Sequence, residues 1–123
     1  MIEEIPAPCR NCIGFRAKGT LSGDDYTRVL IPGIEKGIET YSTINVLLQV
    51  EDFKGWTAGG AWEDLMTWPK FRHVRKFALA GDQSWDEFLT RMMKILAALT
   101  HTEVRFYRID RVVEAREWLG SEK

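Results

Sequence analysis

Residues 44–50 constrain the fold of this chain more than any other part of the sequence. They read Ile-Asn-Val-Leu-Leu-Gln-Val, and only Asn45 and Gln49 interrupt the apolar run. A strand with one face in water alternates apolar and polar residues, whereas a parallel strand covered on both faces is nearly continuously apolar. The segment therefore predicts a central parallel strand, buried on both faces, in an α/β fold.

Segments typical of strands and of helices alternate along all 123 residues. Strands are predicted at residues 1–5, 12–18, 44–50, 74–80 and 104–108. Helices are predicted from 23 to about 39, at 57–68, at 84–99 and from 110 to 120. This order predicts right-handed crossovers and a mostly parallel sheet of four or five strands with about four helices packed on it. The length is typical of one domain, here residues 1–123.

Capping residues mark the helix starts. Ser22 precedes Asp24 and Asp25, which interact favourably with the N-terminus of a helix. Ser84 and Glu87 form a capping box. Pro32 is predicted to kink the first helix near its middle, because proline removes one backbone donor and clashes with the preceding turn.

Composition restricts the classes of partner. The net charge of −1 argues against a dedicated nucleic-acid binder. No apolar run approaches the ~20 residues of a membrane span, and no secretory signal opens the chain, so we expect a cytoplasmic protein with at most peripheral membrane contact. The basic run from Lys70 to Lys76 is interpreted as solvated surface, with an acidic head group or membrane surface as the alternative contact.

The two cysteines form a Cys-x-x-Cys motif, Cys9 to Cys12, that precedes a strand-like run instead of opening a helix. In an extended segment they would lie roughly 10 Å apart, too far for a disulfide, although a turn at residues 8–11 would bring them closer. Zinc would need two further ligands, and His73 and His101 lie at no familiar spacing. The motif is interpreted as an inert, reduced pair, and no metal site is predicted.

Sequence motifs of catalysis are absent. The chain has no Gly-x-Ser-x-Gly, no Gly-x-Gly-x-x-Gly and no Gly-Lys-Ser/Thr phosphate loop. The acidic pairs Asp24-Asp25 and Asp86-Glu87 fall in first helical turns, where the helix dipole explains them. We therefore predict no enzyme, no catalytic residue and no cofactor.

Three of the five tryptophans lie between residues 50 and 71, directly after the central strand. Open α/β sheets bind ligands at the carboxyl ends of their strands. Gly59 and Gly60 lie in the first turn of the helix predicted at 57–68 and weaken it. The helix either packs against the sheet as part of the core or forms the lid of a cavity. The second interpretation places a pocket between this helix, the strand ends at 50–53 and the turn at 80–82. Its predicted ligand-binding residues are Phe53, Trp56, Thr57, Trp62, Met66, Trp68 and Asp82.

Four groups of residues, spread over nearly the full length, carry a family resemblance. They are Gly-Thr-Leu-Ser-Gly-Asp-Asp-Tyr at 19–26, Phe-Lys-Gly-Trp at 53–56 with Ala-Trp-Glu-Asp-Leu at 61–65, Ala-Leu-Ala-Gly-Asp at 78–82 with Trp85, and Glu-Val-Arg-Phe at 103–106 with Ala-Arg-Glu-Trp-Leu at 115–119. In order and spacing they resemble the STAS fold, and more closely the SpoIIAA-like family of small bacterial proteins. That family relates STAS to the CRAL-TRIO lipid-binding domains.

The resemblance implies a nonpolar-ligand pocket under mobile helices. Anti-sigma-factor antagonists of the same fold carry a phosphorylatable Asp-Ser-Ser-Gly, but residues 56–60 here read Trp-Thr-Ala-Gly-Gly, with Thr57 about where the aspartate would lie. The leading hypothesis is a non-enzymatic STAS-like module that binds a small nonpolar or lipid-like ligand. The alternative is a protein–protein interaction or signalling module of the anti-sigma-factor-antagonist type that lacks the usual serine, with a partner protein or a second copy of the chain.

Overall fold

One five-stranded sheet organises the computed structural model of the protein, which describes residues 1–56, 69–82 and 102–121. The strands are β1 (Ile2–Ile5), β2 (Cys12–Leu21), β3 (Ile44–Trp56), β4 (Val74–Gly81) and β5 (Glu103–Arg108). Their spatial order is β1-β2-β3-β4-β5; β1 runs antiparallel to β2, and every other neighbouring pair is parallel. The predicted α/β fold with a mostly parallel sheet is confirmed.

Two helices are found in the described residues. The first, α1, consists of Gly23–Asp25, a π-helical turn over Tyr26–Leu30, and Ile31–Tyr41. The second, α2, is Val112–Gly120. Short 3₁₀ turns at Pro69–His73 and Ile109–Arg111 lead into β4 and α2. The helices predicted at 57–68 and 84–99 lie outside the described residues.

Proline disturbs α1 where the sequence predicts it. Pro32 is the second residue of Ile31–Tyr41, directly after the π-helical turn Tyr26–Leu30. Proline donates no backbone hydrogen bond and its ring crowds the preceding turn, so the regular α-helical pattern cannot run through this position. A π-helical turn is a common form of local irregularity inside a helix. The disturbance therefore takes the form of a change in helix type.

The central strand is buried on both faces. Every residue from Ile44 to Val50 is at most 7% exposed. Successive side chains of a strand point to opposite faces, and the core accordingly divides into two clusters. Ile44, Val46, Leu48 and Val50 join the larger cluster with α1, whereas Leu47 joins a smaller cluster with α2. The prediction made from residues 44–50 is confirmed.

Two glycines let α1 lie close to the sheet. A Cβ atom added at Gly33 would lie 2.8 Å from Cζ of Phe15, and one added at Gly37 would lie 2.9 Å from Cδ1 of Ile13. The Phe15 ring is fully buried, so it has little freedom to move away. The spacing of four residues places both glycines on the same face of the helix.

Replacing Gly33→Ala is expected to lower the free energy of unfolding by about 1–2 kcal/mol, because overpacking a close contact outweighs the gain in helix propensity. Urea denaturation measures the change. The control is Gly23→Ala, since a Cβ atom at Gly23 meets nothing within 4 Å. Equal stabilities for the two variants would contradict the close approach at Gly33.

The two cysteines form a disulfide, so the prediction of a reduced pair was wrong. The segment turns instead of extending: the carbonyl oxygen of Cys9 accepts a hydrogen bond from the backbone N–H of Cys12 at 3.3 Å. This turn brings the two Cα atoms to 4.9 Å, within the range of a disulfide. The strand-like run, which suggested an extended segment, begins only at Cys12.

Candidate functional site

The carboxyl edge of the sheet carries a large irregularity in β3. From Lys18 to Leu21, four residues of β2 pair with a stretch of six residues in β3, Glu51 to Trp56. Asp52 and Lys54 have no partner in β2, and they make a β-bulge. Bulges bend a strand, redirect its side chains and are frequent beside functional sites. The irregularity lies directly before the aromatic segment at 57–68.

Left-handed backbone occurs on both strands at this bulge. Asp52 has φ of 52°, and Gly19, on the neighbouring β2, has φ of 70°. Aspartate tolerates the left-handed region better than most residues, and glycine adopts it without steric cost. The local sequence is therefore compatible with a bend in the strand pair that regular parallel strands would not make.

A carboxylate from β4's end holds the bulge in place. The backbone N–H of Asp52 donates to Oδ2 of Asp82 at 2.9 Å, and the backbone N–H of Asp82 donates to the carbonyl oxygen of Val50 at 3.3 Å. Two reciprocal contacts thus join the ends of β3 and β4. Asp82, predicted as a ligand-binding residue, has a positioning role in the described part of the chain.

Asp25 ties together the end of β2 and the start of α1. Its Oδ2 accepts the backbone N–H of Ser22 at 2.9 Å and the Ser22 hydroxyl at 3.1 Å, while Oδ1 accepts the backbone N–H of Ile2 at 3.3 Å. Burial alone would raise the pKa of Asp25, but these hydrogen bonds and the ammonium group of Met1 lower it below the ordinary value of 3.8. The carboxylate is thereby held in its charged form.

Apolar side chains form the floor of this edge. Leu21, Val50 and Phe53 belong to the core cluster on the α1 side, and Phe53 is 8% exposed. Phe53 and Asp82 are both brought to the bulge, since each adjoins or binds Asp52. Trp56 ends β3, with its backbone opposite Leu21. The other predicted site residues lie outside the described residues: Thr57, Trp62, Met66 and Trp68.

Comparison with known proteins identifies the family. The profile of the SpoIIAA-like family matches residues 12–120. The chain belongs to the SpoIIAA-like family. Among solved structures, an uncharacterized DUF3478-family protein from Shewanella loihica PV-4, with a SpoIIAA-like fold, superposes with a TM-score of 0.66. The two chains are 24% identical, and the match covers 97% of this chain and 92% of the other. No curated protein matches the sequence.

The basic connector of this SpoIIAA-like domain lies at the opposite edge of the sheet. Residues Pro69–His73 precede β4, whose eight residues span roughly 23 Å from the amino edge to the carboxyl edge. The connector and the bulge therefore lie at opposite ends of β4. The exposed members of the basic run are Lys70, Arg72 and Arg75.

Two lysines of the basic run are engaged within the domain. Nζ of Lys70 lies 2.8 Å from Oε2 of Glu35, and this hydrogen bond, with the attraction of the carboxylate, raises the pKa of Lys70. Lys76 is only 7% exposed, so the interpretation of the whole run as solvated surface is wrong at this residue. Its ammonium group binds the C-terminal end of α2, because Lys76 points to the face of the sheet that α2 covers.

A second concave surface, missed by the sequence analysis, is a groove of about 450 Å³ between α1 and the β1–β2 pair. Its lining includes Ile5, Pro6, Ala7, Ile13, Lys36 and Tyr41. The glycines at 33 and 37, four residues apart in a predicted helix, were the available signal, because they lower the helix surface beside the strands. Polar side chains in its lining come from Glu4, Lys36, Thr40 and Tyr41.

Within residues 1–56, 69–82 and 102–121, no three His, Cys, Asp or Glu side chains are grouped as metal ligands. Among the helices described there, none has the length and hydropathy needed to cross a membrane.

Proposed function

We propose that this SpoIIAA-like domain is a non-enzymatic module that binds a small nonpolar or lipid-like ligand at the carboxyl edge of its sheet. The observation that carries the proposal is the bulge of β3 at Asp52 and Lys54, bound by Asp82. It interrupts regular pairing at the edge where α/β proteins usually bind ligands. The aromatic segment at 57–68 follows directly in the sequence.

Apolar contacts support a nonpolar guest. Leu21, Val50 and Phe53 are buried beside the bulge, so the core beneath this edge is apolar. Methionine and tryptophan, which recur in the segment that follows, suit a surface that adapts to varied apolar molecules. Burial of apolar area contributes about 25 cal/mol per Å². A ligand of this class therefore needs few directed polar contacts.

The carboxylates at this edge support a binding role over a catalytic one. Asp25 is bonded to Ser22 and to backbone N–H groups, and Asp82 is bonded to the backbone of Asp52. Both therefore accept hydrogen bonds that order the chain. General acid–base catalysis would instead require a carboxyl group directed at a substrate atom within hydrogen-bonding distance.

The charges at this edge favour a ligand with an uncharged polar end. Asp24, Asp25, Asp52 and Asp82 lie where the strands end, together with Lys54 of the bulge and the ammonium group of Met1, which lies 3.3 Å from Oδ2 of Asp25. The edge therefore offers no excess of cations to a fatty-acid carboxylate, whereas the hydroxyl groups of a monoacylglycerol need none. The proposed ligand is accordingly a neutral amphiphile.

The test is a tryptophan-fluorescence titration of the full chain with monoolein, oleic acid and phosphatidylcholine vesicles, together with native mass spectrometry of freshly purified protein. We expect saturable binding that is tightest for monoolein, and lipid in organic extracts. Asp82→Ala is expected to weaken binding about two- to tenfold, the equivalent of one hydrogen bond of about 0.5–1.5 kcal/mol. Asp82→Asn, which keeps an acceptor oxygen, is expected to bind nearly as well as the unaltered chain.

Arg75→Ala is the matched control, because this exposed residue lies near the opposite end of β4. Unchanged fluorescence with all three lipids, together with lipid-free extracts, would contradict the proposal. A mass that rises with protein concentration in the absence of any small molecule would instead support the interaction module. Equal weakening of ligand binding by Asp82→Ala and Arg75→Ala would show that the bulge has no particular role in binding.

A further inference from the structure

We propose that the Cys9–Cys12 disulfide is a thiol–disulfide exchange site that reacts with external dithiols through Cys9. The bond joins the ends of a β-turn on the surface, with two residues, Arg10 and Asn11, inside the ring. This inference is independent of ligand binding at the carboxyl edge, since the turn precedes β2 at the amino edge of the sheet.

The two cysteine residues differ in exposure. Cys12 is 2% exposed and belongs to the core cluster on the α2 side, whereas Cys9 is half-buried and packs at the margin of that cluster. A thiolate attacks one of the two sulfur atoms of a disulfide, and the exposure of each sulfur to solvent decides which one is attacked. Cys9 is therefore the sulfur that an external thiol reaches first. The neighbouring Arg10 is exposed, and its positive charge favours the approach of an anionic thiolate.

Acceptors for the reduced Cys9 thiol are already in place. Sγ of Cys9 lies 3.5 Å from Oδ1 of Asn11 and 3.8 Å from the carbonyl oxygen of Leu119. In the reduced state the thiol can donate to either oxygen without movement of the turn. The turn itself is held independently of the disulfide, because the backbone N–H of Asn45 donates to the carbonyl oxygen of Asn11 at 3.0 Å. Both redox states are thus compatible with one backbone conformation.

The exchange balances with a dithiol as reductant. One thiolate of the dithiol attacks Sγ of Cys9, the Cys9–Cys12 bond breaks, and Cys12 leaves as a thiolate that takes up a proton. The second thiol of the reductant, as its thiolate, then attacks the reductant's first sulfur in the mixed disulfide. This step releases Cys9 as a thiolate, which is protonated in turn. Two electrons and two protons pass from the dithiol to the protein, and the reductant becomes a cyclic disulfide.

The test uses the full chain equilibrated with graded ratios of reduced to oxidised glutathione, then alkylated with N-ethylmaleimide and analysed by mass spectrometry. We expect one two-electron transition between a species with no added label and a species with two. Brief alkylation of the reduced chain, followed by peptide fragmentation, is expected to label Cys9 at least tenfold faster than Cys12. Far-UV circular dichroism is expected to be unchanged by reduction.

Two variants separate the roles of the sulfurs. With oxidised glutathione, Cys12→Ala is expected to form a mixed disulfide at Cys9, and Cys9→Ala is expected to react at least tenfold more slowly at Cys12. A pair that stays reduced in excess oxidised glutathione would overturn the proposal, as would labelling of Cys12 as fast as Cys9. The brief alkylation of the unaltered chain decides the second point even where a variant does not fold.

Discussion

Replacing Phe77→Ala is expected to lower the free energy of unfolding by about 3–5 kcal/mol. Phe77 is fully buried in the core cluster between α1 and the sheet. Its ring centroid lies 5.8 Å from that of Phe71, with the planes tilted by 39°. Truncation removes the buried ring and this aromatic contact, and leaves a cavity that surrounding side chains fill only in part. Urea denaturation followed by circular dichroism measures the loss.

Val113→Ala is the control for this prediction. Val113, on α2, is 63% exposed, so its truncation is expected to change the free energy of unfolding by less than about 0.5 kcal/mol. A Phe77→Ala variant within 1 kcal/mol of the unaltered chain, by the same linear extrapolation, would mean that the α1 cluster is not the main core. The large difference expected between the two variants follows from burial alone.

Replacing Lys76→Met is expected to lower the free energy of unfolding by about 2–3 kcal/mol, because hydrogen bonds from a charged donor are lost. Nζ of Lys76 donates to the carbonyl oxygens of Trp118 at 3.0 Å and Ser121 at 2.8 Å, and to Oγ of Ser121 at 2.8 Å. These carbonyl groups end α2, where a positive charge also interacts favourably with the helix dipole. Methionine keeps most of the volume of the lysine stem but donates nothing.

Amide hydrogen exchange shows which part of the structure loses stability in the Lys76→Met variant, and by how much. We expect the amide groups of α2 to exchange faster in Lys76→Met, while those of β3 change less. Arg75→Met is the matched control, since Arg75 is the preceding residue of the same strand and is exposed. Equal stability of the two methionine variants would show that the ammonium group contributes nothing to the docking of α2.

Several further polar contacts hold α2 against the sheet. Nδ2 of Asn45 donates to the carbonyl oxygen of Leu119 at 2.8 Å. The Trp118 ring lies between two cations, with Nζ of Lys76 at 5.4 Å and Cζ of Arg105 at 4.7 Å from its centroid. The α2 cluster of the core is small, so directed contacts of this kind decide where the helix ends on the sheet.

Local patterns in the sequence determined the kinds of element and the class of the fold. The apolar run at 44–50 identified the doubly covered strand, the alternation of elements identified a mostly parallel sheet, and Pro32 marked the disturbance in α1. These features depend on residues close together in the chain, because backbone preference and hydrophobic period act over a few positions. The family was identified for the same reason, since its motifs are short segments in a particular order.

Tertiary structure alone decided the environments of particular side chains. Lys76 resembles its exposed neighbours in the sequence, but strand alternation and the position of α2 turn it inward onto the Trp118 and Ser121 carbonyls. Cys9 and Cys12 come together through a turn that contains Asn11, although the strand that follows favours an extended segment. The bulge at Asp52 depends on Asp82, thirty residues later in the chain. Contacts between distant segments arise only when the sheet assembles, so no local pattern encodes them.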